Sequence, residues 1–158
     1  MKNIFVRIFA LGFISGMRSM TGIAFTSRYV AERKGFLPRL FVPIPLRWME
    51  SDMAVQVSEI LMAGEMVGDK VPGIPARTAP GPLFDRALSG ALVGATLAQK
   101  RRQEPVLGSL FGIAGALLGA YSGYTLRAEA GKRSQIPDLF LGMAEDALVL
   151  LGGSLAIR

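Results

Sequence analysis

Neither cysteine nor histidine occurs in the 158-residue chain. The first absence removes disulfides, thiolate nucleophiles and the thiolate ligands of metal sites. The second removes imidazole ligands and the usual general base near neutral pH. An ion site in this chain has to be made of carboxylates, carbonyls and hydroxyls, a donor set that favours hard cations or protons. The signatures GxxxxGK[ST], GxSxG and HExxH are also missing. No cofactor is expected. An enzymatic reading has only paired acids to rest on and ranks last. Acidic residues are themselves the minority, 12 against 18 Lys and Arg, for a net charge of +6.

What is abundant points to lipid. Glycine occurs 19 times and 51% of the chain is hydrophobic, with a mean hydropathy of +0.39. Glycine is costly to order in helices in water, but common in membrane helices, where it lets backbones approach. The cations fall in short clusters between apolar runs. That pattern suits loops beside anionic headgroups better than a nucleic-acid surface, and no nucleic-acid partner is expected. The length fits one domain, residues 1–158.

Residues 4–27 read as the first membrane helix. The start resembles a signal peptide, with Lys2 and Arg7 ahead of an apolar run, but no small-x-small cleavage site follows and Arg18 interrupts the run. Gly12, Gly16 and Ser19 share a face. Residues 28–52 are too broken to span; Trp48 beside Arg47 suggests an interfacial or re-entrant segment. Residues 53–70 and 83–99 are short second and third spans, the latter with a polar stripe of Asp85, Ser89, Thr96 and Gln99 and a Gly90/Gly94 pair. Residues 105–126 carry no charge and are long enough to cross ~30 Å of hydrocarbon. Their stripe of Gly108, Gly112, Gly115 and Gly119 reads as a close helix–helix seam. Residues 137–157 complete the set. The expected fold is an all-α, polytopic helical membrane bundle of about five glycine-rich, partly short helices with an interfacial or re-entrant segment. Threaded this way, the Lys and Arg residues divide almost evenly between the two sides. The positive-inside rule then gives no orientation, and an antiparallel dimer is allowed.

The charges inside the apolar segments are the candidate site. Arg18 lies about ten residues from either polar flank. Glu65 and Asp69 are four apart on one helix face, with Lys70 alongside. Glu145 and Asp146 sit near the middle of the last span, so depth matching favours one of them as the Arg18 partner, with Glu65 second. The rigid stretch "VPGIPARTAPGP" carries Arg77 and Thr78. A charge at mid-span costs about 2.5–3.5 kcal/mol on insertion scales, so these groups need partners or a hydrated cavity. The candidate binding residues are Arg18, Ser19, Glu65, Asp69, Lys70, Arg77, Thr78, Arg86, Glu145 and Asp146. Two functions compete: binding or transport of a small ion or polar solute through this intramembrane site, and a non-transporting structural or anionic-lipid-binding role in which the charges pin the helices. Membrane lipids, including anionic ones, are the expected partners, and the glycine-lined faces of a short chain predict a homo-oligomer, most simply a dimer.

Four stretches carry a resemblance: "GMRSMT" at Gly16–Thr21, "GEMVGDKVPGIPARTAP" at Gly64–Pro80, "RALSGALVGA" at Arg86–Ala95 and "AEDALVLLGG" at Ala144–Gly153. In this order the chain resembles a family of small bacterial integral membrane proteins known only as a domain of unknown function. The resemblance covers nearly the whole chain. It implies an all-helical protein of the bacterial inner membrane and no activity. The family's usual "SMTAP"-like run is "SMTGI" here, so no proline follows Arg18 to break the first span.

Overall fold

A computed structural model describes residues 3–33, 43–68, 78–133 and 138–158. Among the described residues the fold is all-α, with helices α1 (Ile4–Met17), α2 (Ser19–Glu32), α3 (Ile44–Met49), α4 (Asp52–Gly68), α5 (Pro80–Lys100), α6 (Pro105–Arg133) and α7 (Asp138–Ile157). Among the described residues two stretches are long and apolar enough to cross a membrane, Pro105–Lys132 in α6 and Leu139–Ile157 in α7.

The first span is not one helix. Asn3 caps α1, its side chain accepting from the Phe5 amide at 3.1 Å. The helix stops at Arg18, whose backbone is extended (φ −142°, ψ 107°). From Ser19 the chain folds back along α1. A side chain at Gly22 would meet the Leu11 carbonyl and the Ser15 hydroxyl, whereas in a straight helix Leu11 and Gly22 would stand about 16 Å apart. Tyr29 lines the same narrow cleft as Ile4, Arg7 and Leu11. Residues 4–32 are therefore a helical hairpin with Arg18 at its tip. Each arm has 14 residues, about 21 Å, short of the ~30 Å hydrocarbon thickness. The break needs no proline because distant side chains hold both helix ends, as described below.

The other helices run along the hairpin. Ser89 and Lys100 of α5 reach the Ser19 and Val30 carbonyls of α2, so α2 and α5 lie side by side in the same direction. Helix α6 runs with α1 and against α5. A methyl on Gly12 would meet the Gly112 carbonyl and one on Gly16 the Ala116 carbonyl, while one on Gly94 would meet Gly108. These backbones touch because no side chain intervenes. The α1–α5–α6 seam and the hairpin enclose the core, which includes Ile8, Leu11, Val30, Val93 and Leu97.

Pro80 and Pro82 belong to the first turn of α5, where a missing N–H and a preset φ are tolerated. The third helix thus starts earlier than the pattern suggests. Helix α6 continues past residue 126 to Arg133. Of the 28–52 segment, residues 28–32 belong to α2 and Ile44–Met49 form α3, with Trp48 half exposed beside exposed Arg47. Helix α5 ends in a Schellman turn: the Gln103 amide donates to the Ala98 carbonyl at 2.8 Å and the Arg102 amide to Gln99 at 3.0 Å. Arg102 takes a positive φ of 54° there, the conformation glycine prefers.

Candidate functional site

A helix that stops inside a protein leaves carbonyls at one end and amides at the other without intrahelical partners. Both sets meet here, at the hairpin tip. The Gly16 and Met17 carbonyls of α1 each accept from Arg86 Nη1 at 2.8 Å. The first amides of α2 donate to Glu65: Ser19 N–H to Oε1 and Met20 N–H to Oε2, each at 2.9 Å. The Ser19 hydroxyl adds a third bond to Oε1 at 3.2 Å. A carboxylate thus sits at the positive end of one half-helix and a guanidinium at the negative end of the other, the arrangement their dipoles favour. Arg86 Nη2 lies 3.8 Å from Glu65 Oε1, so the two pieces of this double cap are themselves an ion pair.

Arg18 joins three helices at the same point. Its side chain is fully buried. Nη2 pairs with Asp146 Oδ1 of α7 at 2.5 Å, and Nη1 donates to the Glu65 carbonyl of α4 at 3.3 Å. Depth matching named Glu145 or Asp146 as the partner; Asp146 makes the ion pair. Glu145, also buried, turns instead to Arg127 of α6 at 3.6 Å. Ser89 donates to the Ser19 carbonyl at 2.6 Å and ties α5 to the tip. The cluster balances Arg18, Arg86 and Arg127 against Glu65, Glu145 and Asp146. Its carboxylates keep a little exposure, 15% for the Glu65 side chain and 13% for Asp146, against none for Arg18.

Of the ten candidate residues, Arg18, Ser19, Glu65, Arg86 and Asp146 come together directly, and Glu145 adjoins them through its neighbour Asp146. Thr78 lies in the turn two residues before α5 and makes no hydrogen bond with the cluster among the described residues. Asp69, Lys70 and Arg77 lie outside the described residues. Sequence reasoning missed Ser89 and Arg127 as members. Ser89 was visible as part of the polar stripe on α5. That stripe is not uniform: Asp85 is exposed, and its neighbour Arg86 is the side chain that turns inward. Arg127 gave no signal, because it stands at the end of an uncharged run and reads as an ordinary flanking cation.

A second polar cluster closes the other end of the hairpin. Lys100 pairs with Glu50 at 2.5 Å, Arg101 donates to the Tyr29 hydroxyl at 2.9 Å, and Arg33 stacks over the Tyr29 ring at 4.2 Å.

A family model described as a domain of unknown function (DUF4126) matches residues 6–158, and the chain belongs to that family. No curated protein and no solved structure matches it.

Proposed function

We propose that this member of the DUF4126 family is a small integral membrane protein that binds a small ion or polar solute at the hairpin tip and passes it across the bilayer. The observation that carries this reading is the pair of opposed half-helix ends, buried inside the bundle and held by Glu65 and Arg86. Interrupted helices are tolerated at membrane depth only where protein buries them or a cavity is lined by them. Transporters use such ends as binding sites, because they offer directed amides and carbonyls without extra charge. Here every ion has a counter-ion, so an entering charged solute can exchange for one of the protein's own groups without leaving bare charge behind. The partly exposed Glu65 and Asp146 carboxylates are the groups it would meet first.

Membrane embedding is supported by the surface. Phe140, Leu148, Leu151 and Leu155 of α7, Val57 and Ile60 of α4, and Leu110 and Leu118 of α6 are all exposed, far more apolar surface than a water-facing monomer usually carries. In this reading α4 to α7 cross the bilayer and the hairpin enters and leaves on one side. The hairpin also changes the cation balance. Among the described residues, its open end gathers Arg7, Arg28, Arg33, Arg47, Lys100, Arg101, Arg102 and Arg158, against Arg127, Lys132 and Arg133 beyond the tip. The division among these residues is uneven, and by the positive-inside rule it favours the reading in which the open end faces the cytoplasm of a bacterial inner membrane. A parallel homodimer replaces the antiparallel one as the simplest assembly.

The absence of cysteine makes the test clean. Ser19→Cys, in an otherwise thiol-free chain, should react with a membrane-impermeant methanethiosulfonate in reconstituted vesicles. Protection of that thiol from the reagent, in a folded protein, would contradict a solute site. A second reading, a non-transporting protein pinned by these charges and held on anionic lipid by its basic end, is favoured by the complete burial of Arg18, and that result would select it.

A further inference from the structure

Hydroxyls on helices usually bond to a carbonyl one turn back. This chain does so where hydroxyls lie nearer the surface: Thr125 donates to Tyr121 at 2.9 Å and Ser154 to Leu150 at 2.8 Å. Three fully buried threonines do not: among the described residues the Thr21, Thr26 and Thr96 hydroxyls have no hydrogen-bond partner. Thr26 and Thr96 lie along the α2–α5 contact. The Ser89–Ser19 and Lys100–Val30 hydrogen bonds fix the register of these parallel helices, and in that register Thr96 stands level with Thr26. Toward the open end of the hairpin, the buried Gln99 Oε1 is also without a partner among the described residues. A buried polar atom left unbonded is destabilising, so this row of oxygens is costly unless something else bonds to it.

The row has a carboxylate at each end. Glu65 lies at the tip, facing Arg86 of α5, Arg18 and the α2 amides. Glu50 lies at the open end, facing Lys100 of α5. A metal cation on this route would pass a guanidinium at one end and an ammonium at the other. An anion would cross a middle stretch with no fixed positive charge. A proton needs neither, only oxygens linked by water, and about 10 Å separates Ser89 from Thr96 along the helix. We propose that the α2–α5 seam is a proton path, in which water held by Thr26, Thr96 and Gln99 links Glu65 to Glu50. A proton from the far side adds to the Glu65 carboxylate, moves along the file, and leaves to water through Glu50. This rests on the reading of the hairpin tip as a functional site, and names the proton as an ion it passes.

The test is proton flux into vesicles of phosphatidylethanolamine and phosphatidylglycerol loaded with a pH-sensitive dye, driven by a valinomycin-set potassium potential. The wild type should acidify the lumen several-fold faster than empty vesicles. Thr96→Val and Thr26→Val, which keep the shape and remove the hydroxyl, should each cut that rate at least five-fold, while Thr96→Ser keeps it. Thr96→Cys supplies a readout independent of flux: its thiol should react with a small aqueous thiol reagent in the folded protein. Wild-type flux equal to empty vesicles, unchanged flux in the valine variants, or an unreactive Thr96→Cys thiol would each overturn the path. Labelling of Ser19→Cys together with any of those results removes the proton path alone and leaves the site at the tip standing.

Discussion

The α1–α5–α6 core and the outer helices α4 and α7 are held by different forces. In the core, Gly12, Gly16, Gly90, Gly94, Gly108, Gly112, Gly115 and Gly119 bring backbones into direct contact. Helix α4 buries only Ala54 and Ser58 among its 17 residues, and its Gly64 and Gly68 face open space. In α7 only 28% of the apolar window is buried. Charge ties both helices to the hairpin: Glu65 at the tip and Glu59 on Arg28 at 2.9 Å for α4, and Asp146 on Arg18 for α7, which also buries Val149 in the core. Close packing does not slide, whereas ion pairs and caps can exchange partners. The contrast predicts a rigid core and weaker resistance to displacement in α4 and α7, the helices that supply the carboxylates of the cluster.

The largest effect should come from the core. Gly112→Leu places a side chain against the Gly90 carbonyl, a backbone atom that cannot step aside. It should destabilise by about 3 kcal/mol or more, read as loss of monodisperse protein. Gly64→Leu, the same chemistry on α4, should change stability by less than about 0.5 kcal/mol, as is usual for an open surface position. Equal effects would erase the distinction between the regions.

Next come the ion pairs. Arg18→Ala strands Asp146 and should cost about 3–5 kcal/mol. A variant lacking both Arg18 and Asp146 should recover part of that loss in thermal unfolding; a fully additive loss would mean they do not act as a pair. Glu65→Gln removes the charge that caps α2 and should cost about 1–3 kcal/mol. Hydrogen exchange should then speed up at Ser19 and Met20 and along α4, while α6 keeps its protection.

The charged cluster was legible because charge inside an apolar run has few places to go. Arg18, Glu65 and Asp146 stood out for that reason alone. The hairpin was not legible. Residues 4–27 are apolar and contain no proline, and the groups that hold the break open lie far along the chain, at Glu65 and Arg86. Two signs were present in retrospect. Residues 19–27 are rich in hydroxyls for a spanning segment, and the near-even cation division was what results from threading a hairpin as a single crossing. Helix ends at prolines misled differently: Pro80 and Pro82 were read as a loop, yet they fit the first turn of α5.

The smallest effect concerns a turn within the rigid part. Arg102→Gly relieves a positive φ in the Schellman turn after α5 and should stabilise by roughly 0.5–1 kcal/mol, a small rise in melting temperature with the site untouched.

The hairpin positions the tip cluster and the α2–α5 seam, and the proposed site, orientation and path all depend on it. Spin labels at Asn3→Cys and Arg33→Cys, both exposed, report it directly by pulsed dipolar spectroscopy in reconstituted membranes. The hairpin predicts a separation below about 25 Å, set by two adjacent arms plus the labels. A distance near 45 Å, the length of an unbroken helix of that many residues, would contradict it.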